Sequence, residues 1–415
     1  MNEVRNIQIG FELKRDTSQL CYFDRRSGEP VSVPTKTGTS LYEFPTELCR
    51  MRDRDTWHFG MEARVLAKDR GGFLIEDVLG RAMTTEAFFV GRTLMEPWEL
   101  LSVFFRESLK LLGLHDPVRA VQGLMITTPV LSGVLVGNIR KALEALGFTR
   151  EQYLIQDRLE SFYYYCMSQK SSVWVRNTAL IEFSGDEAVF YAMRENRKTR
   201  PSLVTIEKKA PVRLSAEKRI RDLEFLEYVT AGMGDESYSA LFITGEGFDR
   251  EWARRALEQL VKGNRHVFYG SNLFVRGACY AALERTETHL LKNRLYLGAD
   301  KVRSKVSIEV ITGGQTAFYP LVEPGTNWFE NTAECQLILD DRDYLELTVN
   351  RMDGSGEDTH VFLLPDLPKR PNRTTRIRFR AECTSPAVCE LTAEDLGFGD
   401  LFPASHMIWH DTIEI

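Results

Sequence analysis

The hydrophobic pattern changes period near residue 298, and this constrains the chain more than any other feature. Upstream, short apolar runs alternate with helical ones: 120–127 then 131–146, 153–155 then 157–168, 240–244 then 249–260. Strands that alternate with helices pair in parallel and carry the helices on the sheet faces. Downstream, helical periodicity stops. Runs at 306–310, 336–339, 344–349, 361–364, 375–380 and 388–391 are short strand patterns, most of them alternating apolar with polar residues. Their separators are turn signals at Gly313-Gly314, Pro324-Gly325, 353–356 and 365–371. That pattern predicts an all-β unit with one solvated face. The expected units are 1–300 and 304–415, with the boundary at 296–304.

The upstream part opens on strands at 6–13, 20–24 and 31–33, linked by polar turns. The same strand–turn–strand entry recurs at 179–183, 184–187 and 188–193, so two halves begin alike. The spacing predicts helices over 61–67 and 97–112, the second started by Pro97, and over 215–230, with Ser215 as its cap. Residues 240–283 read as strand, loop, helix, helix. Thr244-Gly245-Glu246-Gly247 forms the turn, and Gly277, Ala278, Ala281 and Ala282 put small residues on the last helix. Glycine at a strand end lets backbone approach a ligand, because no Cβ intervenes.

Composition excludes several classes. Among 415 residues, 43% are hydrophobic and 27% charged, an ordinary globular balance. With 53 basic and 59 acidic residues the formal charge is −6, against a dedicated nucleic-acid or anionic-membrane surface. The seven cysteines have no Cys-x-x-Cys spacing and fit reduced thiols. No secretory leader and no membrane span is expected, which places the protein in the cytoplasm.

The order of elements resembles the actin-like ATPase superfamily, and more closely the seventy-kilodalton heat-shock chaperones of the DnaK type. Gly10-Phe11-Glu12-Leu13 is similar to the start of that family's first phosphate loop, with Lys14 where the family has glycine. Ile126-Thr127-Thr128-Pro129 resembles its Ile-Thr-Val-Pro segment. Residues 154–161 stand at its Ile-Ile-Asn-Glu-Pro-Thr segment. Glu182-Phe183-Ser184-Gly185-Asp186 stands at the second phosphate loop. Ile243-Thr244-Gly245-Glu246-Gly247 stands at the adenosine motif, and Val275-Arg276-Gly277-Ala278 at Ala-Arg-Gly-Ala. Residues 313–371 follow the layout of the chaperone β-sandwich, and the helical lid is expected to be absent.

The resemblance implies a two-lobed α/β domain of ribonuclease-H-like repeats followed by a β-sandwich. It implies a nucleotide site at Gly10, Glu12, Lys14, Arg15, Thr17, Glu182, Ser184, Gly185, Gly245, Glu246 and Gly247. Glu12 and Glu182 would reach Mg²⁺, and Asp157 would be the remaining catalytic carboxylate. Asp186 and Glu187, however, stand where a triphosphate expects glycine amides; like charges at roughly 4 Å repel by about 4 kcal/mol at an effective dielectric of about 20. The expectation is a degenerate chaperone-like pseudo-ATPase that binds ATP or ADP with Mg²⁺ weakly or takes no cofactor. It would engage a peptide or protein partner through its β domain. The alternatives are an active ATP-hydrolysing chaperone or kinase, and an actin-like filament protein.

Plainer readings stand beside these. Gly10, Gly245 and Gly247 also suit tight turns, Gly277 and Ala278 close helix packing, and Glu12 and Glu182 strand-end carboxylates. His406 and His410, downstream of Cys383 and Cys389, would share a helix face suited to zinc, but their surroundings read as strand. Arg376, Arg378 and Arg380 fall on one strand face, as a solvated surface or as a dock for an acidic partner.

Overall fold

The computed structural model describes residues 6–36, 38–52, 56–352 and 356–415. Residues 353–355 of the expected turn at 353–356 lie outside it. The chain divides into two compact units, Met1–Leu295 and Tyr296–Ile415.

The first unit is mixed α/β and is built around two sheets. In the first, β1 (Ile7–Leu13), β2 (Thr17–Asp24), β3 (Glu29–Ser32), β4 (Val121–Thr128) and β5 (Tyr153–Asp157) lie in the order β5-β4-β1-β2-β3. β1 and β2 are antiparallel, as are β2 and β3, whereas β1–β4 and β4–β5 are parallel. In the second sheet the central strands are β6 (Asn177–Ser184), β7 (Glu187–Asn196), β8 (Ser202–Lys208), β9 (Tyr238–Glu246) and β10 (His266–Tyr269), in the order β10-β9-β6-β7-β8. Again the first three strands meander and the last two join in parallel. The two halves therefore repeat one topology.

The helices that matter are α1 (Pro97–Leu109), α2 (Gly133–Ala145), α3 (Arg158–Met167), α4 (Lys218–Met233), α5 (Arg254–Leu260) and α6 (Leu273–Leu283). Strand β1 is buried on both faces: Ile9, Phe11 and Leu13 are fully enclosed, as expected for a strand covered by helices. Phe11 meets Phe104 and Phe105 of α1 edge to face, at 6.1 and 5.2 Å. On the other face α6 comes so close that a Cβ on Gly10 would collide with the Val275 carbonyl and the Cys279 amide. A Cβ on Gly277 would strike the Ser161 carbonyl of α3. In these two places glycine is required by close backbone approach. At Gly277 the packing reading holds.

The second unit consists of two four-stranded antiparallel sheets. β11 (Ser304–Thr312), β12 (Gln315–Val322), β13 (Thr332–Ile338), β14 (Tyr344–Arg351), β15 (Glu357–Leu363), β16 (Arg376–Ser385), β17 (Val388–Gly397) and β18 (Ile408–Glu414) are arranged as β12-β11-β14-β15 and β13-β16-β17-β18. One core joins the sheets. Ile308, Leu347, Val349 and Phe362 come from the first, and Ile377, Phe379, Leu391 and Trp409 from the second. Phe362 and Phe379 meet edge to face at 5.5 Å. Along β16 the alternation separates buried Ile377, Phe379 and Ala381 from the arginines.

Local expectations differ from the structure at several places. Strand β10 interrupts the expected helix–helix step after residue 260, so the unit is strand, loop, helix, strand, helix. Strands β12 and β18 were not expected. The helix expected at 215–230 begins at Lys218, after Glu217; Ser215 instead accepts the Glu217 amide through Oγ, at 3.1 Å. The expected helix at 249–260 is helical only from Arg254.

Candidate functional site

The two halves bring together a charged cluster. Glu12, near the end of β1, is only 2% exposed. Burial pushes its carboxyl up to about 7, against the pull of the Lys14 ammonium and with the push of the Glu43 carboxylate. Its Oε2 has no hydrogen-bond partner. Lys14 begins the β1–β2 turn, where its N–H donates to the Thr17 carbonyl at 3.2 Å. Its ammonium lies 3.2 Å from Glu43 Oε1. Burial would lower the Lys14 pKa, but Glu12 and Glu43 outweigh it and raise it. Gln19 donates to Glu43 at 2.9 Å and to the Ser271 carbonyl at 3.1 Å, tying this hairpin to the start of α6.

From the other half comes Glu182 on β6. Arg158, the first residue of α3, donates from Nη1 to Glu182 Oε1. Burial raises the Glu182 pKa and the Arg158 guanidinium opposes it. This ion pair links the helix that follows the first sheet to a central strand of the second. Glu246 adds its charge to the field at Lys14. The cluster thus sets four carboxyl groups, Glu12, Glu43, Glu182 and Glu246, against two cations, Lys14 and Arg158.

The turns beside this cluster are already satisfied. Gly185 lies in the β6–β7 turn at φ +64°. Its N–H donates to the Glu246 carbonyl at 2.9 Å, and its carbonyl accepts from Arg221 at 2.7 Å. Strand β9 follows β6 in register to Ser184 opposite Glu246. A Cβ on Gly245 would meet the Phe183 backbone, and one on Gly247 the Gly185 carbonyl. Asp186 is held by Arg213 at 3.4 Å. Ser184 faces Glu187 across the hairpin. Arg15 pairs with Asp77 at 3.1 Å on the surface, and Thr17 is paired with Pro45.

Two expected roles change on this geometry. Gly10 lies inside β1, not in a turn, and its bare Cα serves the approach of α6. Asp157 caps α3: its Oδ1 accepts the Glu160 N–H at 2.6 Å, the ordinary task of an aspartate at this position. Glu12, Lys14, Glu182 and Glu246 do assemble. Arg158 and Glu43 were missed by sequence reasoning. The signal for Arg158 was its place directly after a capping aspartate at a strand–helix junction; nothing in the sequence joined it to a glutamate 24 residues on.

The donor set does not fit Mg²⁺ with a triphosphate. Glu12 offers a free oxygen, but Glu182 is taken by Arg158. Among the described residues no group of three His, Cys, Asp or Glu side chains converges as a metal site; His410 lies on β18 instead of a helix, and His406 just before that strand is bonded to Glu394 at 3.2 Å. The arginine row of β16 is largely neutralised: Arg378 meets Glu394 at 2.7 Å and Arg380 meets Glu382 at 2.5 Å. No helix among the described residues is long and apolar enough to cross a membrane.

The family described as "Family of unknown function (DUF5716) C-terminal" matches residues 29–299, well over half of the sequence, and the chain belongs to it. A second description, "Domain of unknown function (DUF8552)", matches residues 301–415. No curated protein matches the sequence. Among solved structures, a non-polymerising mutant of MamK bound to AMPPNP is similar at 10% identity with a TM-score of 0.43, covering 69% of this chain and 100% of that one.

Proposed function

We propose that the first unit is an actin-like fold of two ribonuclease-H-like halves in which nucleotide turnover has given way to a binding role. The protein is then a degenerate chaperone-like scaffold of the cytoplasm, engaging a peptide or protein partner through its β unit. One observation carries the reading: the groups that would meet a triphosphate are already engaged. The Gly185 amide bonds Glu246, Asp157 caps α3, and Arg158 holds Glu182. An added polyphosphate would have to break these bonds and face a surplus of carboxylates.

The partner side of the reading rests on the β11–β12 hairpin. Ile311 on β11 is 65% exposed, and Phe318 and Tyr319 on the edge strand β12 are 58% and 41% exposed. Exposed apolar side chains on an outer strand invite strand addition by an extended peptide. Calorimetric titration with ATP or ADP and Mg²⁺ tests the first half of the proposal. No saturable binding in the micromolar range is expected, and micromolar binding with turnover overturns it. For the second half, a Phe318→Ser, Tyr319→Ser variant with an unchanged melting temperature should lose capture of extended peptides from a synthetic array. Undiminished capture overturns that half alone.

A further inference from the structure

Away from the charged cluster, a hollow of ≈ 340 Å³ lies where β9 and β10 approach the first turn of α6. Its size falls in the range of small-ligand pockets, roughly 300–1,000 Å³. Aromatic rings line it: Tyr165 from α3, Phe242 from β9, and Phe268 and Tyr269 from β10. Phe242 and Phe268 are stacked at 4.9 Å and 17°, and Tyr165 stands edge-on to Phe242 at 5.8 Å. Phe268 and Tyr269 stay 40% and 46% exposed, since β10 is the outer strand of its sheet. Such flat apolar walls favour a planar ring, which stacks on them or sits edge-on.

The charged side chain in the lining of the hollow is a cation. Arg276 lines it, with its guanidinium carbon 5.8 Å from the Tyr165 ring centre. Arg276 donates from Nη2 to Glu29 at 3.1 Å, but its Nε is buried without a hydrogen-bond partner. A buried unsatisfied guanidinium N–H is costly, and a carboxylate is its natural complement. Asn272 and Leu273 bring the start of α6 into the wall. The Asn272 side chain does not cap that end of the helix, and first-turn amides also favour an anion. Arg250, over the Tyr269 ring at 4.6 Å, adds a second cation nearby.

We propose that this hollow is a binding site for a small planar aromatic carboxylate, its ring against Phe242, Phe268 and Tyr165 and its carboxylate on Arg276 and the first turn of α6. The site uses none of the groups in the charged cluster, so it stands or falls separately from the reading above. The full chain is titrated with indole-3-acetate and with 3-phenylpropionate by calorimetry and ligand-observed NMR. At least one acid is expected to bind saturably, and indole, which lacks the carboxylate, at least tenfold more weakly. Arg276→Gln should weaken the acid at least tenfold, and Glu29→Gln should tighten it, because a competing carboxylate is gone. Phe268→Ala, at a half-exposed position, should also weaken it at least tenfold and carries the test if Arg276→Gln does not fold. Absence of saturable binding by either acid, equal binding of indole, or wild-type affinity in a folded Phe268→Ala protein overturns the proposal.

Discussion

A carboxyl group with a pKa of about 7 inside a protein makes stability depend on pH in a defined direction. Glu12 titrates near 4.5 when exposed and near 7 when buried here, beside Lys14, Glu43, Arg158 and Glu182. Between those values the folded state holds more protons than the unfolded state, so this group's contribution to stability falls as pH rises from about 4.5 to about 7. Glu12→Gln, which stays neutral, removes that dependence. Its stability relative to the natural protein should grow across this window and level off above it, by about 3 kcal/mol at most, as read from urea denaturation at a series of pH values. A difference that stays flat from pH 4.5 to 8 rules the buried charge out. Gly277 gives a steric counterpart. Alanine would gain about 1 kcal/mol of helix propensity, but its Cβ would overlap the Ser161 backbone carbonyl. Overpacking against backbone costs about 1–3 kcal/mol or more, so Gly277→Ala should lower stability despite the helix gain; a stabilised variant would show that α3 and α6 separate freely.

An ion pair, Arg158–Glu182, joins strand β6 to helix α3, with side chains 27% and 16% exposed. Removing one partner strands the other in a mostly buried place, which costs about 3–5 kcal/mol when burial is complete. Partial exposure reduces this to about 2 kcal/mol. Arg158→Ala should show that loss in urea denaturation, and Arg158→Met with Glu182→Leu should recover most of it. An equally unstable double variant would mean that the charges themselves are needed. The elements on either side differed in how well they could be read. β1, β4 and α2 were legible because their long apolar runs act locally; the Ser132 cap of α2, which accepts the Leu135 amide, shows only in the structure. β10 has only four residues, His266 to Tyr269, too few for a period, and its rings are half exposed because no strand among the described residues pairs its outer edge. β12 was hidden for a related reason: residues 315–320 are exposed on both faces, so no alternation marks them. The cluster was half legible. Glu12 and Glu182 lie at strand ends where a family resemblance could find them, whereas Glu43 and Arg158 reach it through the tertiary fold alone.

At the scale of the molecule, each unit has its own interior. Phe379 is fully buried in the core shared by the two sheets of the second unit, and Phe379→Ala should destabilise that unit by about 3–5 kcal/mol. Tryptophan fluorescence reports it through Trp409, which packs in the same core; an unchanged denaturation curve would contradict the shared core. The first unit is closed in another way, by a helix that arrives late in the chain. Cys279 of α6 donates to the Gln8 carbonyl, 271 residues earlier, and Cys21 donates to the Val275 carbonyl. At about 5–20 residues per second of synthesis, strand β1 leaves the ribosome roughly 15–50 seconds before the helix that covers it exists. For that interval one face of the first sheet, with the bare Cα of Gly10 at its middle, has no cover of its own. Nascent chains stalled before residue 270 should therefore be cut by protease within β1 and β2, and chains stalled well beyond residue 283 should resist.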